Sequence, residues 1–223
     1  MKSLDNVASY WKVRLEDSYR LSPGEEVYFP RLLSIAKKSR RVLEVGVGKG
    51  RMVSILRDND VDAEFYGVDI TDNAKRSGAA AVIGDARKLP FKDASFDLVY
   101  SLGVIEHFPE TRLAVSEHAR VAKEGGHVLI TTPHLSVFTP LRYVGYRIFH
   151  RRYGTFEEIE GRNIRLGTMK RYFTDSGLEI TNHGVYGTYV IWRLLSRLGL
   201  GVIQKRFQEI TPLGAFLYVT GVK

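Results

Sequence analysis

The chain has 223 residues, 44% of them hydrophobic, which suits one α/β domain with a single sizeable core. It contains no cysteine, which excludes disulfide bonds, thiolate catalysis and thiolate metal sites. Its formal net charge of +8 is compatible with anionic partners, and the distribution of that charge along the chain is relevant to the substrate.

The elements alternate between helix and strand after an N-terminal helical stretch over 1–40. In that stretch Tyr28 and Phe29 belong to an aromatic group, with Tyr10, Trp11 and Tyr19, that forms either a lid over the site or a cover on the sheet. Alternation of this kind predicts a parallel sheet. The predicted strands lie near 42–46, 65–69, 80–83, 96–101 and 127–132, with two further strands at 177–180 and 215–219.

A helix is predicted from Pro109 to Ala122, with Gly125-Gly126 as its C-terminal breaker. The N-terminus lacks the apolar core of a signal peptide, and no stretch of about 18 residues is free of charge. We therefore expect a soluble cytoplasmic protein. The six histidines show no short ligand spacing with a carboxylate partner, so no metal site is predicted.

A glycine-rich turn follows the first strand, in the run from Glu44 to Gly50 that contains Gly46, Val47 and Gly48. Such a turn lets a ligand approach the backbone closely beside a helix N-terminus. A dinucleotide fingerprint would place a third glycine where this chain has Arg51. The Glu44 carboxylate would repel a pyrophosphate, and it favours a cationic cofactor instead.

Acidic residues end the next two predicted strands. Asp69 lies about 20 residues beyond the glycines, which is the spacing of an acid that accepts hydrogen bonds from ribose hydroxyls. Asp85 ends the third strand, where its carboxylate can accept from an adenine amino group while the Ala86 amide donates to the ring. The pattern predicts a ligand that contains adenosine.

The chain resembles the class I S-adenosylmethionine-dependent methyltransferases, in particular the small-molecule group that includes the ubiquinone and menaquinone biosynthesis enzymes. Four ordered matches over residues 40 to 133 carry the resemblance: Val42 to Gly50, then Gly67 to Ile70, then Gly84-Asp85-Ala86 with Leu89-Pro90-Phe91, then Ser95 to Ser101 with Ile105 to Phe108. It implies a Rossmann-like, doubly wound, mostly parallel seven-stranded sheet with an antiparallel edge strand and a helical cap. The single domain would comprise an N-terminal helical lid (1–40), a cofactor-binding core (41–133) and cap segments for the substrate (134–176 and 187–212).

The resemblance also implies roles for individual residues toward S-adenosylmethionine, whose product is S-adenosylhomocysteine. Glu44 and Gly46 would face its methionine end, with Val47, Gly48 and Gly50 in the same turn. Asp69 would hold the ribose. The adenine would contact Ile70, Gly84, Asp85 and Ala86, and the floor of the pocket beneath the sulfonium would be formed by Ser101 and Leu102.

The basic excess is concentrated in the cap. Residues 42–133 carry 11 basic against 14 acidic side chains, whereas residues 134–212 carry 12 against 6. The segments 141–153 and 189–198 interleave aromatic and cationic residues as amphipathic helices would. They either pack on each other over the site, or form a basic-rimmed entry for a lipid-like or anionic acceptor, or rest on an anionic membrane surface. Contact with RNA is less favoured, because no appended binding module is present.

Methyl transfer by in-line displacement needs alignment more than covalent help. If a hydroxyl or carbon acid is methylated, His107 is the candidate base because it follows the fourth strand, and His134 is the second candidate. Tyr143 and Arg165 are candidate substrate contacts. The leading interpretation is a methyltransferase acting on a small or lipid-like molecule. An RNA methyltransferase, a non-catalytic adenosylmethionine-binding protein and, more distantly, a nicotinamide dehydrogenase are the alternatives.

Overall fold

A seven-stranded sheet organises the chain in a computed structural model that describes residues 21–22, 24–136, 139–140, 143–144, 161–187 and 214–223. The strands are β1 (Arg41–Val45), β2 (Glu64–Asp69), β3 (Ala80–Ile83), β4 (Phe96–Leu102), β5 (Ala122–Pro133), β6 (Glu179–Tyr186) and β7 (Phe216–Val222). Their spatial order is β3-β2-β1-β4-β5-β7-β6. All neighbouring pairs are parallel except those that β7 makes with β5 and β6. The predicted fold class is thus confirmed, with the antiparallel strand second from the edge.

Within the described residues, the helices that cover the two faces of the sheet are α1 (Phe29–Ala36), α2 (Arg51–Asp58), α3 (Thr111–Val121) and α4 (Leu166–Asp175). The buried side chains of α1 and α2 form one apolar cluster on their face, and those of α3 and α4 form another on the opposite face. Each helix buries one apolar stripe, as an amphipathic helix on a sheet must.

The chain reverses direction across the sheet between β1 and β4. From β1 it runs outward to β2 and β3, then returns to place β4 on the other side of β1. In open α/β sheets such a switch point opens a crevice at the carboxyl ends of the strands. The sequence motifs after β1, β2, β3 and β4 therefore meet at one edge.

One boundary predicted from sequence is wrong. The helix α3 ends at Val121, and Ala122 already pairs with Phe96 at the start of β5. Gly125, with φ +74°, lies in an irregularity inside β5 and does not end the helix.

Tyr28 and Phe29 are buried in the apolar cluster beneath α1. The Tyr28 ring lies 5.5 Å from the Tyr186 ring and 6.4 Å from the Tyr218 ring. Both residues therefore pack against the sheet. Residues 1–20, with Tyr10, Trp11 and Tyr19, lie outside the described residues.

His118 is fully buried in α3, and its Nδ1 lies 2.7 Å from the Ala114 carbonyl oxygen, which accepts the hydrogen bond. Burial lowers the pKa of His118 to about 4, below the value of 6.5 for an exposed imidazole. The folded state therefore resists a proton that the unfolded chain accepts. Stability from this neutral histidine is complete above pH 6.5 and is lost as the pH falls toward 4.

We expect His118→Gln to lose less stability than the parent chain between pH 6.5 and 5, because glutamine keeps a donor and never ionises. The slopes of the free energy of unfolding against pH should differ between the two proteins by up to about 1.4 kcal/mol per pH unit. Urea unfolding at pH 7, 6 and 5 measures it, with His183→Gln as the exposed-histidine control. Parallel stability profiles for His118→Gln and the parent chain would contradict the assignment.

Candidate functional site

The glycine turn after β1 requires backbone that other residues rarely adopt. Gly46, Gly48 and Gly50 have φ of +80°, +50° and +79°. A Cβ on Gly46 would collide with Val104 beyond β4, and one on Gly50 would collide with the Ser77 carbonyl. The freedom at Gly50 thus serves close backbone packing at the start of α2. The Gly46 and Val47 amides donate to the Val68 carbonyl oxygen at 2.7 and 3.1 Å, which ties the turn to β2.

Asp69 ends β2 and faces the glycine turn. Its Oδ2 accepts from the Gly48 amide at 2.9 Å, and its Oδ1 accepts from the Thr71 amide and hydroxyl at 2.8 and 2.7 Å. A carboxylate oxygen accepts about two hydrogen bonds, so Oδ2 retains capacity for a ribose hydroxyl. Thr71, which sequence reasoning missed, fixes the carboxylate through a short-range turn that such an Asp-x-Thr pattern can signal.

Ile70 follows Asp69 and is 53% exposed, an unusual state for a large apolar side chain. An exposed apolar surface next to a ribose-binding acid suits the face of an adenine ring. Gly84 joins this region through its amide, which donates to the Asp69 carbonyl oxygen at 2.9 Å. A Cβ on Gly84 would press on Val68 at 2.8 Å, so glycine is needed there.

Asp85 is already engaged by a cation. The Arg87 guanidinium donates from Nη2 to Oδ2 at 2.7 Å and from Nε to Oδ1 at 3.0 Å. These bonds hold the pKa of Asp85 below its usual value. Arg87 also pairs with Glu110 at 2.9 Å and lies over the Phe108 ring at 5.2 Å. Sequence reasoning missed Arg87, and an adenine amino group would share Asp85 with it. Ala86 is buried beside them.

Glu44 is a buried carboxyl at the end of β1, with 5% of its surface exposed. Burial raises the pKa of Glu44 to about 8, although a hydrogen bond from the Tyr100 hydroxyl and the Arg51 cation both act to lower it. The Tyr100 Oη to Glu44 Oε2 distance is 3.0 Å. Arg51 itself donates from Nη1 and Nη2 to Glu25 at 2.7 and 2.6 Å. A buried acid of this kind is suited to the ammonium group of a ligand.

Ser101 and Leu102 end β4 beside the glycine turn. Ser101 is paired with Val45 in the sheet register and is fully buried. Its Oγ has no hydrogen-bond partner among the described residues. An orphaned hydroxyl at the end of β4 is a group that a bound polar ligand can satisfy.

Three loops meet beyond β4 and β5. The Arg162 amide donates to the Glu106 carbonyl oxygen at 3.0 Å, and the Ile164 amide donates to the Pro133 carbonyl oxygen at 2.9 Å. These bonds bring three segments to the same edge of the sheet. They are the turn Ile105–His107, the end of β5 with His134, and the start of α4 with the exposed Arg165. Tyr143 is exposed in the segment after β5. The rest of the predicted basic cap, in 141–153 and 189–198, lies outside the described residues apart from Val144.

The site residues fit adenosylmethionine. The buried acid Glu44, the orphaned hydroxyl of Ser101, the acid Asp69 and the exposed apolar Ile70 lie at the ends of β1, β4 and β2, where the methionine, ribose and adenine parts of the ligand would find matching groups. Among the described residues no group of three potential ligands is arranged to hold a metal ion. No described helix is long and apolar enough to cross a membrane.

Fold and site together define a Rossmann-like α/β protein with an adenosine-type site. The family profile described as "Methyltransferase domain" matches residues 43–130. A protein of Mycolicibacterium smegmatis, named "Probable S-adenosylmethionine-dependent methyltransferase", is 32% identical over 201 residues, which are 87% of this chain and 73% of that protein. The chain therefore belongs to the S-adenosylmethionine-dependent methyltransferases, whose cofactor is S-adenosylmethionine.

Two further matches are more partial or more distant. "Probable tocopherol O-methyltransferase, chloroplastic" of Oryza sativa is 38% identical over 108 residues, which are 43% of this chain but only 30% of that protein. The structure of geranyl diphosphate C-methyltransferase of Streptomyces coelicolor was solved with S-adenosyl-L-homocysteine. It aligns to this chain with a TM-score of 0.68 at 16% identity, and the alignment covers 100% of this chain and 98% of that protein's chain. This second likeness supports the fold.

We expect adenosylhomocysteine to bind more tightly as the pH rises from 6 to 7.5, by up to about tenfold per unit. Below its pKa of about 8, Glu44 is mostly neutral, and the ligand's ammonium group would favour the ionised form. Binding at pH 7 should then release a proton, which calorimetry in two buffers of different ionisation enthalpy detects.

Glu44→Gln should bind without proton release, whereas Asp58→Asn, at an exposed acid on α2, should behave as the parent chain. Equal proton release by the parent chain and Glu44→Gln would remove Glu44 from the ammonium subsite.

Proposed function

We propose that this chain transfers the methyl group of adenosylmethionine to a small, apolar or lipid-like acceptor. The observation that carries the proposal is the exposure of large apolar side chains in the segment that follows β5: Leu135 at 40%, Tyr143 at 45% and Val144 at 52% exposed. Exposed apolar surface beyond what a solvated segment needs commonly marks a binding surface. The rice relative, named for tocopherol, supports an acceptor of lipid character.

The chain's own residues would align the reactants and exclude water. When bound, adenosylmethionine supplies an electrophilic methyl group on sulfur. The acceptor's lone pair forms the new bond as the carbon–sulfur bond breaks and adenosylhomocysteine leaves. Such a displacement gains most from proximity and alignment. If the acceptor is a hydroxyl or a carbon acid, its proton must pass to a base.

Two histidines follow the carboxyl ends of β4 and β5, where we place the acceptor. His134 Nδ1 lies 3.1 Å from the Gly214 carbonyl oxygen. Because a carbonyl only accepts, Nδ1 is the donor in this hydrogen bond, and Nε2 is the nitrogen that an acceptor could reach. His107 lies in the turn directly after β4, and its amide donates to the Val104 carbonyl oxygen at 3.2 Å. His107 is the base we propose, and His134 is the second candidate.

The function is tested by incubating the purified protein with methyl-labelled adenosylmethionine and three acceptor sets: prenylated phenols, fatty acids and bulk tRNA. We expect label in an apolar acceptor and stoichiometric adenosylhomocysteine. Asp69→Ala should abolish cofactor binding and transfer together. Label in tRNA alone would favour the RNA methyltransferase, and cofactor binding without any transfer would favour the non-catalytic alternative.

We expect His107→Gln to lower kcat by about 100-fold or more while leaving adenosylhomocysteine affinity unchanged, because a base acts on the acceptor. Steady-state kinetics and calorimetry separate the two effects. His134→Gln is the competing variant, and His183→Gln, on β6, is the control. If turnover is unchanged in His107→Gln and lowered in His134→Gln, the general base is His134.

A further inference from the structure

A second cavity lies at the opposite edge of the sheet from the adenosylmethionine site. It has a volume of about 330 Å³, at the lower end of the range for small-molecule sites. Its walls come from α1 and the residues after it, the start of β4 and the irregular part of β5. The lining residues that matter are Arg31, Ser34, Lys38, Asp97, Lys123 and His127.

Two cations of this cavity have no carboxylate partner in the part of the chain that the structure describes. Among the described residues neither Arg31 nor Lys38 forms an ion pair, and the Arg31 Nε is buried without a hydrogen-bond partner. Arg31 makes one long hydrogen bond, from Nη2 to the Thr181 hydroxyl at 3.4 Å. An unsatisfied guanidinium N–H is costly to bury, so the position favours an incoming acceptor.

The acidic side chains of the cavity already interact with other groups. Asp97 pairs with Lys123 at 2.6 Å and accepts from the Arg40 and Arg41 amides at 3.1 and 2.7 Å. Glu124 is largely exposed and lies 3.7 Å from Lys223. Neither carboxylate neutralises Arg31 or Lys38, so a local positive charge remains in the cavity.

The pKa of His127 reflects this positive charge. Its Nδ1 is buried without a hydrogen-bond partner in the described part of the chain. Burial first, and then the nearby Arg31 and Lys38 cations, lower the pKa of His127. Three nitrogen-bearing side chains thus line one hollow, and two of their buried nitrogens, Arg31 Nε and His127 Nδ1, have no hydrogen-bond partner among the described residues.

We propose that this cavity binds the phosphate group of a small phosphorylated molecule. A guanidinium and an ammonium are the groups that proteins use to hold phosphate, and a dianion would accept from both and from a protonated imidazole. The concave shape and the volume leave space for an organic part attached to the phosphate. The proposal does not depend on the methyl acceptor, because the cavity lies away from the carboxyl ends of the strands.

The test uses inorganic phosphate as the probe and the His127 imidazole as the reporter. Heteronuclear NMR follows the ring resonances in phosphate and in chloride of equal ionic strength, with His127→Gln to assign them. We expect saturable shifts in phosphate and a higher His127 pKa than in chloride. Lys38→Gln and Arg31→Gln should each weaken phosphate binding about tenfold.

Lys37→Gln provides the matched control, because Lys37 and Lys38 are adjacent and both exposed, but only Lys38 lines the cavity. It should bind phosphate as the parent chain does. Adenosylhomocysteine affinity should be the same in all four proteins, which separates this site from the cofactor site. Glycerol 3-phosphate and vesicles that contain phosphatidic acid then distinguish a soluble phosphate ester from a lipid headgroup.

Three results would overturn the proposal. The first is a His127 titration that is identical in phosphate and chloride. The second is an equal loss of phosphate affinity in Lys37→Gln and Lys38→Gln, which would mean that only the general surface charge attracts phosphate. Displacement of adenosylhomocysteine by phosphate would place the anion in the cofactor site and would also contradict the proposal.

Discussion

The hydrogen bond from the Gly48 amide to the Asp69 carboxylate is the contact on which the cofactor site depends. It joins the turn after β1 to the end of β2, and it forms because Gly48 adopts a positive φ that presents its N–H to that carboxylate. The Gly46 and Val47 amides strengthen the junction by donating to Val68. A glycine turn held in this way keeps its shape before any ligand arrives, so less ordering free energy is lost on binding.

Most of the fold could be predicted from the chain because the parallel strands are buried on both faces. Val42 to Val45 and Leu98 to Ser101 are continuous buried runs, which sequence shows clearly. The edge strand β6 was predicted as 177–180 and spans Glu179–Tyr186, because its mostly exposed residues carry no such run. The start of β5 was missed because its first residues pair irregularly around Gly125.

Spacing placed Asp69, Asp85 and Glu44 at the ends of strands, and the structure brings these acids to one edge. Their partners could not be predicted. Tyr100 lies 56 residues from Glu44 along the chain, and only the pairing of β1 with β4 brings the two together. Arg87 carries no motif, and its contact with Glu110 depends on how α3 begins. Sequence patterns report local geometry well, whereas pKa values and ion pairs depend on the tertiary fold.

Arg87 links the loop after β3 to the residues that follow β4. One end of its guanidinium holds Asp85, and the other holds Glu110 while the ring of Phe108 lies beneath it. A shift of the loop after β3 would therefore act on the residues that follow the turn with His107. If the cofactor contacts Asp85 and the acceptor contacts this turn, a filled cofactor site would set the surface that the acceptor meets. Such a linkage favours an ordered kinetic scheme, in which the cofactor enters before the acceptor.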